Sequence, residues 1–133
     1  MGIKSHLEAN FDFEIVDEFL DHYSMMVDSM EVMILDLSKP EMHQANINEL
    51  FRVFHSIKSA ASFLKIESMT KLSTLLEDTL DELRKSDKPI TEEIISWLLI
   101  INDMFEKWND DFKNDNNLSK IKFSLLKIPD LDK

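Results

Sequence analysis

The segment from Leu50 to Ile66, LFRVFHSIKSAASFLKI, sets a histidine and a lysine into an apolar helical pattern. On a helix of 3.6 residues per turn, His55 and Lys58 lie one turn apart on the same face. Taken singly, each is more often an ordinary surface residue. Together they suit a histidine that carries a phosphoryl group, because such a histidine needs an accessible imidazole and a nearby cation to balance the phosphate charge.

Other residues of this face could meet a partner protein. Phe51 lies one turn before His55, Ser59 and Ser62 follow it, and Arg52 lies at the edge of the face. The two serines leave room on the approach side. Phe51 is expected to be a partly exposed docking anchor, and the alternative is that it turns into a groove between helices as a core residue.

A second helix could hold the other nitrogen of the imidazole. A histidine nucleophile attacks through one nitrogen, while an acceptor on the other nitrogen fixes the tautomer. Thr70, Thr74 and Glu77 follow one another at spacings of four and three, so they form a polar line on one helix. If the two helices form an antiparallel hairpin, Glu77 comes level with His55. The residues alone leave this about even with Glu77 being one more exposed carboxylate among 26 acidic residues.

Four amphipathic helical patterns must position these residues. In each, apolar residues recur at spacings of three and four, and segments containing Pro40 and Pro89 separate them. Thr91 is the predicted N-cap of the last helix, with two glutamates in its first turn. The predicted helices run from Phe13 to Leu37, from Gln44–Ile47 to about Leu64, from about Ser68 to Lys85, and from Thr91 to Phe112.

These patterns predict an all-α fold, an antiparallel up-down-up-down four-helix bundle. The single glycine and three prolines disfavour a fold of many short strands. With 133 residues, the chain is expected to be one domain, with the bundle at about 13–113. Residues 114–133 would be a tail, a linker or a short fifth helix between Leu118 and Ile128.

Composition and charge exclude several classes of function. A net charge of −11 argues against nucleic acid and anionic membranes as partners. The absence of cysteine, of a long apolar run and of a secretory pattern leads us to expect a cytoplasmic protein. No phosphate-binding glycine motif occurs, so the chain is not a complete kinase. No histidine follows a glutamate at the spacing of a carboxylate-bridged metal bundle, so no metal site is predicted.

The segment FHSIKSAASFL resembles the motif of histidine phosphotransfer (HPt) domains, in which His-x-x-Lys-Gly opens a run of small residues. The closer resemblance is to the N-terminal phosphotransfer domain of chemotaxis histidine kinases, and it covers about Phe13 to Phe112. It implies that His55 is phosphorylated on its solvent-facing nitrogen. It also implies that Lys58 assists and that Glu77 holds the other ring nitrogen.

The same resemblance implies the partners. A histidine kinase or a receiver domain would supply the phosphoryl group, and a receiver aspartate would take it. Mg²⁺ would belong to the receiver, and the chain would need no cofactor of its own. Three positions depart from the family pattern, because Ser59 and Lys65 replace usual glycines and Thr74 stands where a second histidine is common. Ser59 favours the alternative of a non-catalytic interaction module, whereas the retention of His55, Lys58 and Glu77 argues against it.

Overall fold

Five α-helices and two short 3₁₀-helices form the part of the chain that the computed structural model describes, residues 2–86 and 89–129. This part contains no β-strand, so the predicted all-α fold is confirmed. The α-helices are α1 (Ile3–Asn10), α2 (Phe13–Asp36), α3 (His43–Phe63), α4 (Glu67–Lys85) and α5 (Glu92–Lys113). The 3₁₀-helices are Pro40–Met42 and Phe123–Leu126.

Helices α2 to α5 are the four helices that the apolar spacing predicts, and each of their ends lies within a few residues of the prediction. Helix α2 packs against both α3 and α5, and α4 packs closely on α3. Thr91 is the N-cap of α5, as predicted, and its side chain accepts a hydrogen bond from the Ile94 backbone N–H at 3.3 Å. Residues 87 and 88, within the predicted break before α5, lie outside the described residues.

An aromatic cluster fills the centre of the bundle. The Tyr23 ring makes an edge contact with Phe112, and Phe105 makes edge contacts with Phe54 and Trp108. These five side chains are almost completely buried. The Tyr23 hydroxyl donates to the Phe105 backbone carbonyl at 2.6 Å, and burial together with nearby Asp111 raises the pKa of that hydroxyl. The interlocked rings fix the rotation of α2, α3 and α5 about their axes.

Helix α3 ends in a left-handed residue, Lys65, whose φ is 60°. The Ile66 N–H donates to the Ala61 carbonyl at 2.8 Å, and the Lys65 N–H donates to the Ser62 carbonyl at 3.1 Å. This is the hydrogen-bond pattern of a helix end that favours glycine at the left-handed position. Lys65, one of the two positions where the HPt motif usually has glycine, therefore adopts a backbone conformation that favours glycine.

Helix α1 was not predicted, and it adds to the predicted bundle of residues 13–113. Its amino end is held by the carboxyl end of α5. The Ile3 N–H donates to the Asn116 carbonyl at 2.8 Å, and the Ser5 N–H donates to the Asp115 side chain at 2.9 Å. The two segments approach each other so closely that a Cβ on Gly2 would lie 1.8 Å from the Asp115 backbone oxygen. The first turn of α1 thus depends on acceptors more than a hundred residues away.

The segment after α5 packs along that helix. Where a short fifth helix was one of the predicted alternatives, the structure has a single 3₁₀ turn, Phe123–Leu126, and no α-helix. The Trp108 indole N–H donates to the Ser119 carbonyl at 2.8 Å, and the Trp97 indole N–H donates to the Leu125 carbonyl at 3.0 Å. Buried Asp111 accepts from the N–H of Ser119 at 2.8 Å and from its hydroxyl at 2.7 Å. Residues 130–133, the end of the predicted tail, lie outside the described residues.

Candidate functional site

His55 lies on the outer face of α3 because its neighbours on that helix face the core. Phe54 and Ile57 are fully buried, and their packing turns the two positions between them, His55 and Ser56, outward. The His55 side chain is 58% exposed. The histidine that the sequence singles out is therefore accessible to an approaching molecule.

Glu77 of α4 contacts both His55 and Lys58. One carboxylate oxygen, Oε1, pairs with His55 Nδ1, and the other, Oε2, accepts a hydrogen bond from Lys58 Nζ. Glu77 is only 6% exposed, so the alternative hypothesis, that it is an ordinary exposed carboxylate, is wrong. The antiparallel hairpin of α3 and α4 thus brings His55, Lys58 and Glu77 together.

The two contacts keep Glu77 ionised. Burial by itself raises the pKa of this carboxyl group, because it removes water from the charged form. The hydrogen bonds from Lys58 and His55 outweigh that effect, and the pKa of Glu77 lies below its ordinary value. At neutral pH the group is a carboxylate, which can only accept hydrogen bonds.

The charge of Glu77 decides which nitrogen of His55 carries the proton. Because the carboxylate has no hydrogen to give, Nδ1 must donate to it. In a neutral imidazole the other nitrogen, Nε2, then holds a free lone pair. The site therefore combines an exposed imidazole, held through Nδ1, with a lysine ammonium one turn away.

A groove of about 520 Å³ runs beside His55 between α3 and α4. Its lining includes Phe51, Arg52 and Ser56 from α3 and Asp78, Asp81 and Arg84 from α4, together with His55 and Glu77 themselves. Phe51 is half-buried and packs partly against the core, so it lies between the two predicted alternatives. Its ring is nearly parallel to that of His55, with 10° between the planes and 6.4 Å between centroids.

The predicted partner-binding residues do not all share one groove. Arg52 lines the His55 groove, is exposed, and pairs with Glu49 at 2.8 Å. Ser59 and Ser62 are exposed on α3 beyond His55. Ser62 lines a separate groove with Lys65, Glu67, Thr70 and Lys71. Thr74 donates its hydroxyl to the Thr70 carbonyl at 2.8 Å, so it bonds to its own helix.

Sequence reasoning missed Arg84 and Asp81. The Arg84 guanidinium stands over the Phe51 ring, 4.3 Å from its centroid, and its nitrogens lie 2.6 and 2.8 Å from an oxygen of Asp81. The signal was available, because Asp81 and Arg84 follow Glu77 at spacings of four and three and so share its face of α4.

The described residues contain no cluster of three or more side chains suited to hold a metal ion. Nor do they include a helix that is both long and apolar enough to cross a membrane.

The family model for the Hpt domain matches residues 14–111. This match covers most of the chain, and the chain belongs to the Hpt domain family. Helices α2 to α5, with His55, Lys58 and Glu77, lie almost wholly within the matched range. Together with the relatives described next, membership supports a role in histidine phosphotransfer in chemotaxis-type signalling.

Several bacterial signalling proteins are similar to this chain. The chemotaxis protein CheA of Salmonella typhimurium is 27% identical over 108 residues, which are 81% of this chain and 16% of that protein. The sensor histidine kinase CheAY of Helicobacter pylori is 31% identical over 86 residues, 65% of this chain and 11% of that protein. CheA of Borreliella burgdorferi is 24% identical over 123 residues, 90% of this chain and 14% of that protein. The chain thus spans less than a fifth of their length. No solved structure matches it significantly.

Proposed function

We propose that this chain is a histidine phosphocarrier of a two-component phosphorelay. His55 accepts a phosphoryl group from a histidine kinase or a phosphorylated receiver, and passes it to the aspartate of a receiver domain in the cytoplasm. One observation carries the proposal: the exposed His55 ring is held through Nδ1 by a buried carboxylate, which leaves Nε2 as the nucleophile.

In the forward step the Nε2 lone pair forms a bond to phosphorus. The bond from phosphorus to the donor oxygen breaks, and its electron pair leaves with ADP or with the donor aspartate carboxylate. The imidazole gains positive charge while Nδ1 keeps its proton, and Glu77 stabilises that charge as the acceptor of the Nδ1–H bond. In the delivery step the nitrogen–phosphorus bond breaks, its electron pair returns to Nε2, and the receiver aspartate forms the new bond to phosphorus.

Lys58 supplies the nearest positive charge. Its ammonium group binds Glu77, and the Lys58 side chain as a whole is 31% exposed, so an incoming phosphate can approach it. An ammonium group acts as a point charge on phosphate oxygens and stabilises the negative charge of the transferring group. Mg²⁺, in this proposal, comes with the receiver.

The receiver would cover the face of α3 around His55. That face includes Phe51, Arg52, Ser59 and Ser62, which we propose as docking residues on both sides of the acceptor. Ser59 adds a hydroxymethyl group where the family motif usually has glycine, so the receiver must accommodate that extra bulk. Replacing Ser59 with glycine should therefore speed transfer to a receiver.

The test uses the catalytic region of a chemotaxis histidine kinase with ATP labelled on its γ-phosphate. The wild-type chain should become labelled in a form that is labile to acid and stable to base, as expected of phosphohistidine. His55→Gln should abolish labelling with the helical circular dichroism unchanged, because His55 is an exposed residue. His22→Gln and His43→Gln are matched controls and should be labelled like the wild type.

Two results would contradict the proposal. If His55→Gln were still labelled on histidine, the acceptor assignment would be wrong. If the folded wild-type chain accepted no label from the kinase or from a phosphorylated receiver, the alternative of a non-catalytic interaction module would take its place.

A further inference from the structure

One hydrogen bond is not enough to fix the plane of the His55 ring. The side chain turns about two bonds, and it is 58% exposed, so little protein surrounds it. The hydrogen bond to Glu77 restrains one atom, Nδ1. The direction of the Nε2 lone pair also depends on the tilt of the ring, and phosphoryl transfer requires that direction to be in line with the leaving group.

Phe51 stacks on the His55 ring. Its ring lies one helical turn before His55, parallel to the imidazole to within 10° and 6.4 Å away between centroids. This distance and angle fall in the range of favourable offset stacking between aromatic rings. Phe51 is itself half-buried and packs against the core, so it offers a firmer surface than solvent does.

Arg84 in turn holds Phe51. Its guanidinium lies 4.3 Å from the centre of the phenyl ring, a cation–π distance. Asp81 fixes the guanidinium through contacts of 2.6 and 2.8 Å, and the other oxygen of Asp81 accepts from Lys85 at 2.9 Å. Neither contact of Arg84 is strong at an exposed site, but both act on the same flat group and so define its position.

The hairpin geometry explains why these residues meet. In an antiparallel pair, one turn back along α3 from His55 corresponds to one turn forward along α4 from Glu77, which places Phe51 near the level of Asp81. Arg84 is a turn further on, and helical side chains point back toward the amino end of their helix. Arg84 therefore reaches back over the Phe51 ring.

We infer that Arg84 is a positioning residue for His55, acting through Phe51 and anchored by Asp81. The inference rests on the proposed function, since it assigns a role within the phosphotransfer reaction of His55. Arg84 touches no reacting atom in this account. It restrains the phenyl ring on which the imidazole stacks, so that Nε2 points in one direction.

The test compares Arg84→Gln with Lys85→Gln. Both substitutions remove one positive charge that pairs with Asp81, but only Arg84 stands over Phe51. In Arg84→Gln, nuclear Overhauser contacts between the His55 and Phe51 rings should weaken, and relaxation of the His55 ring carbons should show increased motion. Lys85→Gln should retain the wild-type signals. These measurements use the unphosphorylated chain and stand even if the kinase labels nothing.

Kinase labelling at varied chain concentration supplies the second readout. A positioning role predicts that Arg84→Gln lowers kcat by about threefold to tenfold and leaves KM unchanged. Arg84→Lys keeps a cation near the ring and should recover part of the rate. Phe51→Leu removes the ring on which the imidazole stacks, so it should share the loss of kcat seen in Arg84→Gln.

Two outcomes would overturn the inference. In the first, Arg84→Gln raises KM while kcat and the His55 ring signals stay unchanged, which would make Arg84 a partner contact. In the second, Arg84→Gln matches Lys85→Gln in both readouts. Failure of the proposed function looks different, because the wild-type chain itself would then accept no phosphoryl group.

Discussion

At the scale of single residues, the site depends on one buried carboxylate that serves two partners. Glu77 accepts from His55 and Lys58 at once. In the proposed reaction it therefore orients the nucleophile and also holds the nearest cation. Substitutions of the two less buried residues, His55 and Lys58, should change the chemistry more than the fold. Substitution of Glu77 should change both.

Lys58→Ala should slow phosphorylation of His55 by a factor on the order of ten to a hundred. In the proposed reaction the lysine stabilises the negative charge of the transferring group. Loss of one such contact in a buried, preorganised site costs about a hundredfold to a thousandfold, and a partly exposed lysine should cost less. The initial rate of labelling by the kinase measures it. An unchanged rate would show that Lys58 serves only to pair with Glu77.

Glu77→Ala should lower the phosphorylation rate without abolishing it. The nucleophile remains, but Nδ1 loses the acceptor that fixes the tautomer, so a smaller share of His55 rings presents an Nε2 lone pair. Labelling rates and the tautomer seen by long-range nitrogen NMR check this. If the tautomer populations were the same in both proteins, Glu77 would not orient the ring.

The same carboxylate gives stability a pH dependence. Because the pKa of Glu77 is depressed in the folded state, the folded protein is more stable with Glu77 charged than with Glu77 neutral. Its contribution is present above its unfolded pKa of about 4.3 and is lost as the pH falls through the lower folded value. Thermal melts at pH 7 and pH 3 should therefore show a smaller loss of stability for Glu77→Gln than for the wild type. An equal loss would contradict this account.

At the scale of elements, the turn that joins α3 to α4 sets the register of the hairpin and so the meeting of His55 with Glu77. Lys65 adopts φ 60° in this turn, although residues with a Cβ disfavour that conformation. Lys65→Gly should raise the free energy of unfolding by about 1 kcal/mol. Ser59→Gly, in the middle of α3, is the matched control and should lower it by up to about 1 kcal/mol. Chemical denaturation measures both, and a destabilised Lys65→Gly would refute the argument from backbone strain.

The junction of α1 with the end of α5 is a second element that can be tested. Asp115 accepts from the Ser5 backbone N–H at 2.9 Å and from its hydroxyl, and these bonds lower the pKa of Asp115. Asp115→Ala should remove these hydrogen bonds and speed amide hydrogen exchange in α1. Asp115→Asn keeps an acceptor oxygen and should retain more of the protection. Exchange in α3 and α4 is the internal control, and uniform loss of protection across all helices would contradict a local role.

At the scale of the whole molecule, regular spacing made the four bundle helices predictable, whereas contacts between distant parts of the chain did not show in the sequence. Helix α1 was missed because it buries only Leu7 fully and takes acceptors from Asp115 and Asn116 at the far end of the chain. The proximity of His55, Lys58 and Glu77 was predictable from helical spacing and family resemblance. Whether Glu77 is buried or exposed was not, because burial depends on how closely α4 packs on α3.

Long-range nitrogen NMR of the phosphorylated, nitrogen-15-labelled chain tests most directly whether His55 accepts the phosphoryl group on Nε2 while Nδ1 stays protonated against Glu77. We expect a nitrogen–phosphorus coupling at Nε2 of His55, together with a proton on Nδ1. A phosphoryl group on Nδ1 of His55, or on His6, His22 or His43, would contradict it.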